Sequence, residues 1–494
     1  MEVALSAVTC ELASRFISFL LKKYTSLSHA QSEEEEKVLV ERLQHLLMRA
    51  GTIVEEADTR YITNSGMLMQ LKTLSDAMYR GDRILDTSRY QALQDGAGFD
   101  EVSSNELSSS RLYLAKRSRT IITGKDARVE SYGALESLET AVANMKEFVV
   151  LLGGCERMSR RPYDIYLYTD NFMFSRHTEK QRLLSFLLQH NDHSGDYAPA
   201  VLPIIGGTAV GKKTLVAHVC GDERVCSRFS SVLHLNWDGL LKILDHQRTM
   251  EGMILVVIEF ASDVGDDEWK KFYSFAITMG RGSKFIILSR LLSLARFGSV
   301  KPIFLGSLSY DEFRYLFKRL AFGSADPAEH PRLVRIADEF AKLLHNMEGS
   351  LVATNVVADL LRRNLEVRFW RGILDKGIKM AERNISRYGV DSSMLCTHIE
   401  QGNPVDITEL TSHPLSMTPY NSNVSVKKES PSVTFGELIT DPSVRPKGDF
   451  TLITWESRIP PYKSFANFAT TSHSQDTQEG ANALPRRKRR VVPI

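Results

Sequence analysis

The chain has little of what marks several large function classes. Cysteine is scarce, five in 494 residues (Cys10, Cys155, Cys220, Cys226, Cys396), an odd number without a C-x-x-C pair. That pattern argues against a disulfide framework or a zinc ribbon and suits a reducing compartment. No run approaches the ~20 apolar residues of a membrane-spanning helix. The first apolar residues are periodic and interrupted by Glu2, Glu11 and Arg15, unlike a secretory signal. A cytoplasmic protein, or one that also enters the nucleus, is expected. Neither charge sign is in excess. Lys and Arg number 62 against 60 Asp and Glu, a formal net charge of +2, so the molecule as a whole exerts no strong pull on polyanions. HExxH, Gly-x-Ser-x-Gly and a His/Cys cluster at ligand spacing are all missing, and the 13 histidines are dispersed.

What is present is enough apolar sequence, 43% of residues, for sizeable cores in about two to four domains. Residues 1–95 read as amphipathic helices. One carries Leu5, Val8, Leu12, Phe16, Phe19 and Leu20; a second, after the acidic run Glu33–Glu36, carries Val38, Leu39, Leu43, Leu46 and Leu47. A third carries Met67, Leu71, Leu74, Met78, Ile84 and Leu85, and a small antiparallel bundle would bury all these stripes. Residues 96–165 read as a linker with a helix over Ala134–Leu151, ending at Arg160-Arg161-Pro162.

Over 166–308 the rhythm changes to short apolar strands (Val201–Ile205, Val232–Leu235, Met253–Ile258, Lys284–Leu288) between helices at about 212–221, 238–248 and 266–279. Such alternation predicts a mostly parallel sheet covered on both faces, with Pro203 tolerable at a strand end. Residues 309–385 are helical, with one stripe over Leu333–Met347, and 386–494 read as a largely irregular extension. Within it a β island at about 432–468 holds two strands, Val433–Ile439 and Phe450–Trp455, before Arg458-Ile459-Pro460-Pro461-Tyr462.

The strongest motif follows the first strand: Gly206-Gly207-Thr208-Ala209-Val210-Gly211-Lys212-Lys213-Thr214. Gly-x4-Gly-Lys between a strand and a helix turns backbone N–H groups and a helix N-terminus onto phosphate oxygens, with Lys212 reaching the outer phosphates. Lys213 stands where the Mg²⁺-holding Ser or Thr belongs, so it removes a metal ligand and adds a positive charge. Thr214 offers a hydroxyl one residue late, rotated by about 100°. Thr208 and Ala209 crowd positions where glycines would ease phosphate approach. Glu259 ends a buried strand and is the candidate Mg²⁺ carboxylate; Phe260 supplies no second acid. Arg290 ends the strand Lys284–Leu288, where it can reach a terminal phosphate. At the C-terminus Arg486, Arg487, Lys488, Arg489 and Arg490 form five consecutive cations, the pattern of a nuclear-import address or a polyanion contact.

Together these stretches resemble plant intracellular immune receptors of the coiled-coil, NB-ARC, leucine-rich-repeat class, the disease resistance proteins, especially divergent grass members. The resemblance covers roughly residues 1–385. Asp82-Arg83-Ile84-Leu85-Asp86 is similar to that family's Glu-Asp-Val-Leu-Asp motif, which supports contact between the N-terminal domain and the rest of the receptor. Phe174-Ser175-Arg176 resembles the Gly-Arg segment beside the adenine, with Ser175 for Gly. Gly206–Thr214 stands for Gly-Met-Gly-Gly-Val-Gly-Lys-Thr-Thr, and Ile258-Glu259-Phe260 for a Leu-Asp-Asp strand end. Gly282–Arg290 matches Gly-Ser-Lys-Ile-Ile-Val-Thr-Thr-Arg and is the most specific stretch. Leu308-Ser309-Tyr310-Asp311-Glu312 looks like the family's segment at the end of the nucleotide-binding core. Gly349-Ser350-Leu351-Val352-Ala353 stands for Gly-Leu-Pro-Leu-Ala. No Met-His-Asp motif and no leucine-rich repeats are found.

The resemblance implies a multidomain α plus α/β chain. Its parts are an Rx-type four-helix bundle, a P-loop domain, a small helical subdomain and a different tail. It implies ADP or ATP as ligand, with Mg²⁺ doubtful. Partners are other immune receptors or signalling proteins met through the N-terminal helical domain, self-association, and an import receptor on the basic tail. The preferred expectation is a defence adaptor or regulator with impaired hydrolysis. The alternatives are a working ADP/ATP switch, with Glu259 holding Mg²⁺, and a nuclear nucleic-acid-associated protein acting through its tail.

Overall fold

The computed structural model describes residues 37–97, 124–156, 174–189, 199–237, 252–277, 282–347, 349–389 and, with short gaps, 398–471. The expected helices over Leu5–Leu20 and 238–248, the Arg160–Pro162 break, the Arg458–Tyr462 segment and the basic run Arg486–Arg490 lie outside the described residues.

The N-terminal helices share one core. They are α1 (residues 37–58), α2 (Ser65–Ala97), α3 (Gly124–Ala143) and α4 (Met145–Gly153). The stripes read from the sequence meet there: Leu39 and Leu43 of α1, Leu71, Leu74 and Met78 of α2, Leu138 of α3 and Phe148 of α4 are all buried together. The apolar run Ala134–Leu151 is thus split between two helices at Asn144, and both bury their apolar side in that core.

The second unit is a parallel five-stranded sheet in the order β2-β3-β4-β1-β5. Its strands are β1 (Ala200–Gly206), β2 (Ser231–Asn236), β3 (Ile254–Phe260), β4 (Lys284–Ser289) and β5 (Ile303–Leu305). Helices α5 (His177–Leu188), α6 (Lys212–Cys220), α7 (Glu223–Arg228) and α8 (Asp266–Ala276) cover it. Two cores sandwich the sheet, Leu202, Ile204, Leu255, Val257 and Ile286 facing one layer and Val201, Val256, Ile258, Phe285 and Ile287 the other. Covering both faces is why β3 and β4 read as unbroken apolar runs.

Pro203 lies inside β1, yet costs no ladder bond. The N–H and carbonyl of Val201 turn to Ser299, and by the period-2 alternation the nitrogen of Pro203 turns to the same side. There β5 pairs only from Ile204 onward, so a missing donor goes unnoticed. Lys284, buried in β4, is structural. Its ammonium donates to the carbonyls of Phe186 and Gln189, and so closes the C-terminus of α5. Burial, reinforced by the nearby Arg228 guanidinium, pushes its pKa down to about 8.

A helical unit follows, of α9 (Tyr310–Phe322), α10 (Pro331–Asn346), α11 (Leu351–Arg362) and α12 (Val367–Tyr388). A capping box of Ser309 and Glu312 starts α9. The helical reading over 309–385 is interrupted where Gly349 takes φ +61 and Ser350 caps α11.

The extension departs most from expectation. Far from largely irregular, it holds a second five-stranded sheet, ordered β6-β7-β10-β9-β8. The strands are β6 (Val405–Asp406), β7 (Leu415–Pro419), β8 (Ser432–Thr434), β9 (Phe450–Glu456) and β10 (Ser464–Thr471). The expected strand Val433–Ile439 is instead a strand end followed by α13 (Phe435–Thr440). The reason is local: Thr434 and Glu437 form a reciprocal capping box, a helix-start signal that outweighs a short alternation. Asp406 fastens this sheet to α12, accepting from Arg383 at 2.9 Å and Arg387 at 3.0 Å.

Candidate nucleotide site

At the carboxyl end of the first sheet, β1 stops at Gly206 and α6 starts at Lys212. Gly206 admits no side chain, since a Cβ there would lie 2.4 Å from the Leu305 carbonyl oxygen of β5. Gly211 caps α6 at φ +94, a conformation that favours glycine. Leu215 opens the helix by donating to Gly211 at 2.9 Å. The N–H groups of the first turn therefore have no acceptor within the helix, and the positive end of its dipole faces the loop. Lys212 Nζ donates to the carbonyls of Gly206 at 2.8 Å and Gly207 at 2.5 Å, which places its ammonium across the loop.

Ala209 holds φ +48 and Ser175 holds φ +55, the two described non-glycine residues in the left-handed region. Both stand where the family motifs carry glycine. Each is a residue with a Cβ held in a conformation that favours glycine, at a cost of about 1 kcal/mol.

The metal position carries the most consequential substitution in the loop. Lys213, on the first turn of α6, puts Nζ 2.6 Å from Glu259 Oε2 at the end of β3. Both side chains are about two-fifths exposed, 42% and 41%. The two residues that would hold Mg²⁺ are thus joined to each other. Thr214, a further ~100° round the helix, is not the residue brought to Glu259. Phe260 points away into an aromatic cluster, 4.9 Å from Trp237 and 6.4 Å from Trp269 between ring centres. The second acid's place has been absorbed into the core. Among the described residues no group of three or more His, Cys, Asp or Glu side chains could hold a metal ion.

Three further contacts frame the loop. Arg290, just past β4, lies 3.5 Å from Thr208 Oγ1. From the helical unit, the Leu351 N–H donates to the Ala209 carbonyl at 3.2 Å. Leu351 stands where the family motif has proline, and proline has no N–H to give. Arg176 is turned elsewhere: it donates to Gly306 at 2.5 Å, beyond β5, and burial lowers its pKa. Its neighbour Ser175 bonds Glu312, tying this segment to the start of α9. The structure therefore gathers Gly206–Lys213, Glu259 and Arg290 at the sheet end, with Leu351 above.

A second charged cluster joins the N-terminal helices to α9. Asp82 and Asp86 of α2 meet Arg314 (3.3 and 2.7 Å) and Lys318 (2.6 and 2.5 Å). Asp338 of α10 adds a third carboxylate, 3.0 Å from Arg314 Nε. Burial raises the Asp338 pKa, but the Lys342 and Arg314 cations outweigh it and hold the carboxyl at about 2. Arg83, replacing the central acid of the family motif, pairs with Asp311 at 2.7 Å. The cations were not foreseen, although a signal existed: Arg314 and Lys318 repeat the four-residue spacing of Asp82 and Asp86. An aromatic joint of Tyr79, Phe174 and Tyr315 lies at the same junction, with ring centres 5.0–5.9 Å apart.

No protein-family model matches the chain. Among curated proteins it is similar to the putative disease resistance protein RGA4 and the disease resistance protein RGA2, both of Solanum bulbocastanum. Each is 22% identical, over 74% of this chain and 38% or 39% of the relative. The putative disease resistance RPP13-like protein 1 of Arabidopsis thaliana is 22% identical over 69% of this chain and 34% of its own length. The chain thus spans less than two-fifths of the curated relatives it matches. Solved structures give slighter likenesses. C. elegans PCH-2 scores a TM-score of 0.31 at 12% identity, over 44% of this chain and 72% of that one. Domain III of the Thermotoga maritima replication initiation protein DnaA scores 0.23 at 14% identity, over 48% and 97%. With the glycine loop and the Gly282–Arg290 strand in place, about 70% of the chain's length is similar to plant disease resistance proteins.

Proposed function

We propose that this chain is a defence-response protein that holds ADP or ATP weakly, hydrolyses it poorly, and acts as an adaptor or regulator of other receptors. One observation carries the reading: the Lys213 ammonium lies on Glu259, where a hydrolytic site needs Mg²⁺ and two oxygen ligands. Binding needs fewer groups than turnover, and several remain: the α6 N-terminus, Lys212 across the loop, and Arg290 beside Thr208. The adaptor role is assigned to the N-terminal helices, whose shared core supports an Rx-type bundle. Asp82 and Asp86 already face α9, so contact with other proteins falls to the remaining helix faces. Among the described residues no helix is long and apolar enough to cross a membrane.

The test is to denature gently purified full chain and identify released nucleotide by chromatography. ADP or ATP below one equivalent is expected, and none from Lys212→Ala. Wild-type protein that releases none, and takes none up from millimolar solutions, would reduce the site to a scaffold.

A further inference from the structure

The fold family implies Mg²⁺ between the phosphate loop and the β3 carboxylate, and the donor set here does not fit it. Mg²⁺ takes oxygen ligands at about 2.0–2.1 Å in strict octahedral geometry. In P-loop enzymes the protein supplies a hydroxyl from the residue after the loop lysine and a carboxylate from a neighbouring strand. In this chain the hydroxyl position is Lys213, and its Nζ sits 2.6 Å from the Glu259 carboxylate. An ammonium therefore already occupies the carboxylate face that the metal would need. Phe260 is committed to the Trp237 and Trp269 cluster and supplies no replacement oxygen.

The position has the geometry of a built-in cation. Lys213 is on the first helical turn after the loop, directly after Lys212, whose ammonium lies across Gly206 and Gly207. Its long stem spans from α6 to β3, past the intervening strand β4. The pair is two-fifths exposed, and exposed pairs are weak enough to exchange partners. An arriving phosphate can take the ammonium without a large cost.

We propose that Lys213 replaces Mg²⁺ in this site, so that the pocket selects a nucleoside diphosphate and holds it without a divalent ion. This rests on the nucleotide reading above and adds the ligand's form to it. Lys212 lies across the loop, Lys213 stands on the first turn of α6 and Arg290 lies beside Thr208, so three cationic side chains gather where a diphosphate would sit. A triphosphate arriving with its own Mg²⁺ would place a dication against the Lys213 ammonium, so the metal-bound form is disfavoured.

The experiment is calorimetric titration of the full chain with ADP, in excess EDTA and again in millimolar MgCl₂. Wild-type affinity is expected to agree within about twofold between the two buffers, far less than the tenfold of 1.4 kcal/mol. Lys213→Thr, which restores the hydroxyl at an exposed position, is expected to lose about tenfold or more in EDTA relative to MgCl₂. Wild-type ADP binding that tightens about tenfold or more with MgCl₂ would overturn the metal-free site and leave the nucleotide reading standing. Absence of ADP binding by both proteins in both buffers would overturn the nucleotide reading itself, and this inference with it.

Discussion

Two meetings of lysine or arginine with carboxylate, chemically alike, do opposite work in this molecule. At the joint between α2, α9 and α10, Arg314 and Asp86 are 4% and 6% exposed and each faces more than one opposite charge. At the sheet end, Lys213 and Glu259 are 42% and 41% exposed and face one another. Removing one member of the buried set strands charges that water cannot reach, so it specifies how two units dock. The exposed pair is screened and exchangeable, so a ligand can divide it. Burial, more than chemistry, separates the fastener from the adjustable contact.

The contrast breaks most sharply at Arg314. Arg314→Met keeps the volume and leaves Asp82, Asp86 and Asp338 facing the remaining lysines, at an expected cost of ~3–5 kcal/mol in urea unfolding of the intact chain. The matched change Lys213→Met is expected to cost at most ~1 kcal/mol. Equal losses would erase the distinction.

Acid sharpens the same comparison. Asp338 is held at about 2 against an ordinary 3.8, so its contribution is complete above pH 3.8 and is lost as pH falls toward 2. The size is about 2 kcal/mol. Asp338→Asn should remove that part of the acid dependence, which unfolding midpoints measured across the window would reveal.

A small effect is also expected at Leu351. It is the first residue of α11, and Ser350 before it has ψ 118, so proline fits both the helix start and the preceding residue. Leu351→Pro removes the N–H that Ala209 accepts, with an expected loss of about 0.5–1.5 kcal/mol. Slower amide exchange in the loop of the variant than in wild type would contradict a restraining contact.

Much of this was legible in the residues because it is local. The glycine loop, the buried runs of β3 and β4, and the stripes of α1 and α2 are all set by neighbours in sequence. Strand β5 was not, being three residues long and defined by its pairing with β1. Of the second sheet only β9 was read, as Phe450–Trp455; the edge strands β6 and β8 are too short for an alternation to register. Of the candidate site, the identity of Lys213 as a misfit was plain, but its partner was not. Glu259 is 46 positions away, and only the parallel order of the sheet brings the two together. Leu351 was noted only as a lost proline, and its N–H bond to the loop needs the subdomain's packing to be seen.

Hydrolysis is the most direct test of the central claim that a lysine has displaced the metal. Purified chain is incubated with ATP and MgCl₂ and phosphate release is followed. The account predicts no release above the level of Lys212→Ala. Magnesium-dependent release that disappears in Glu259→Ala would contradict it, because Glu259 would then be holding the metal.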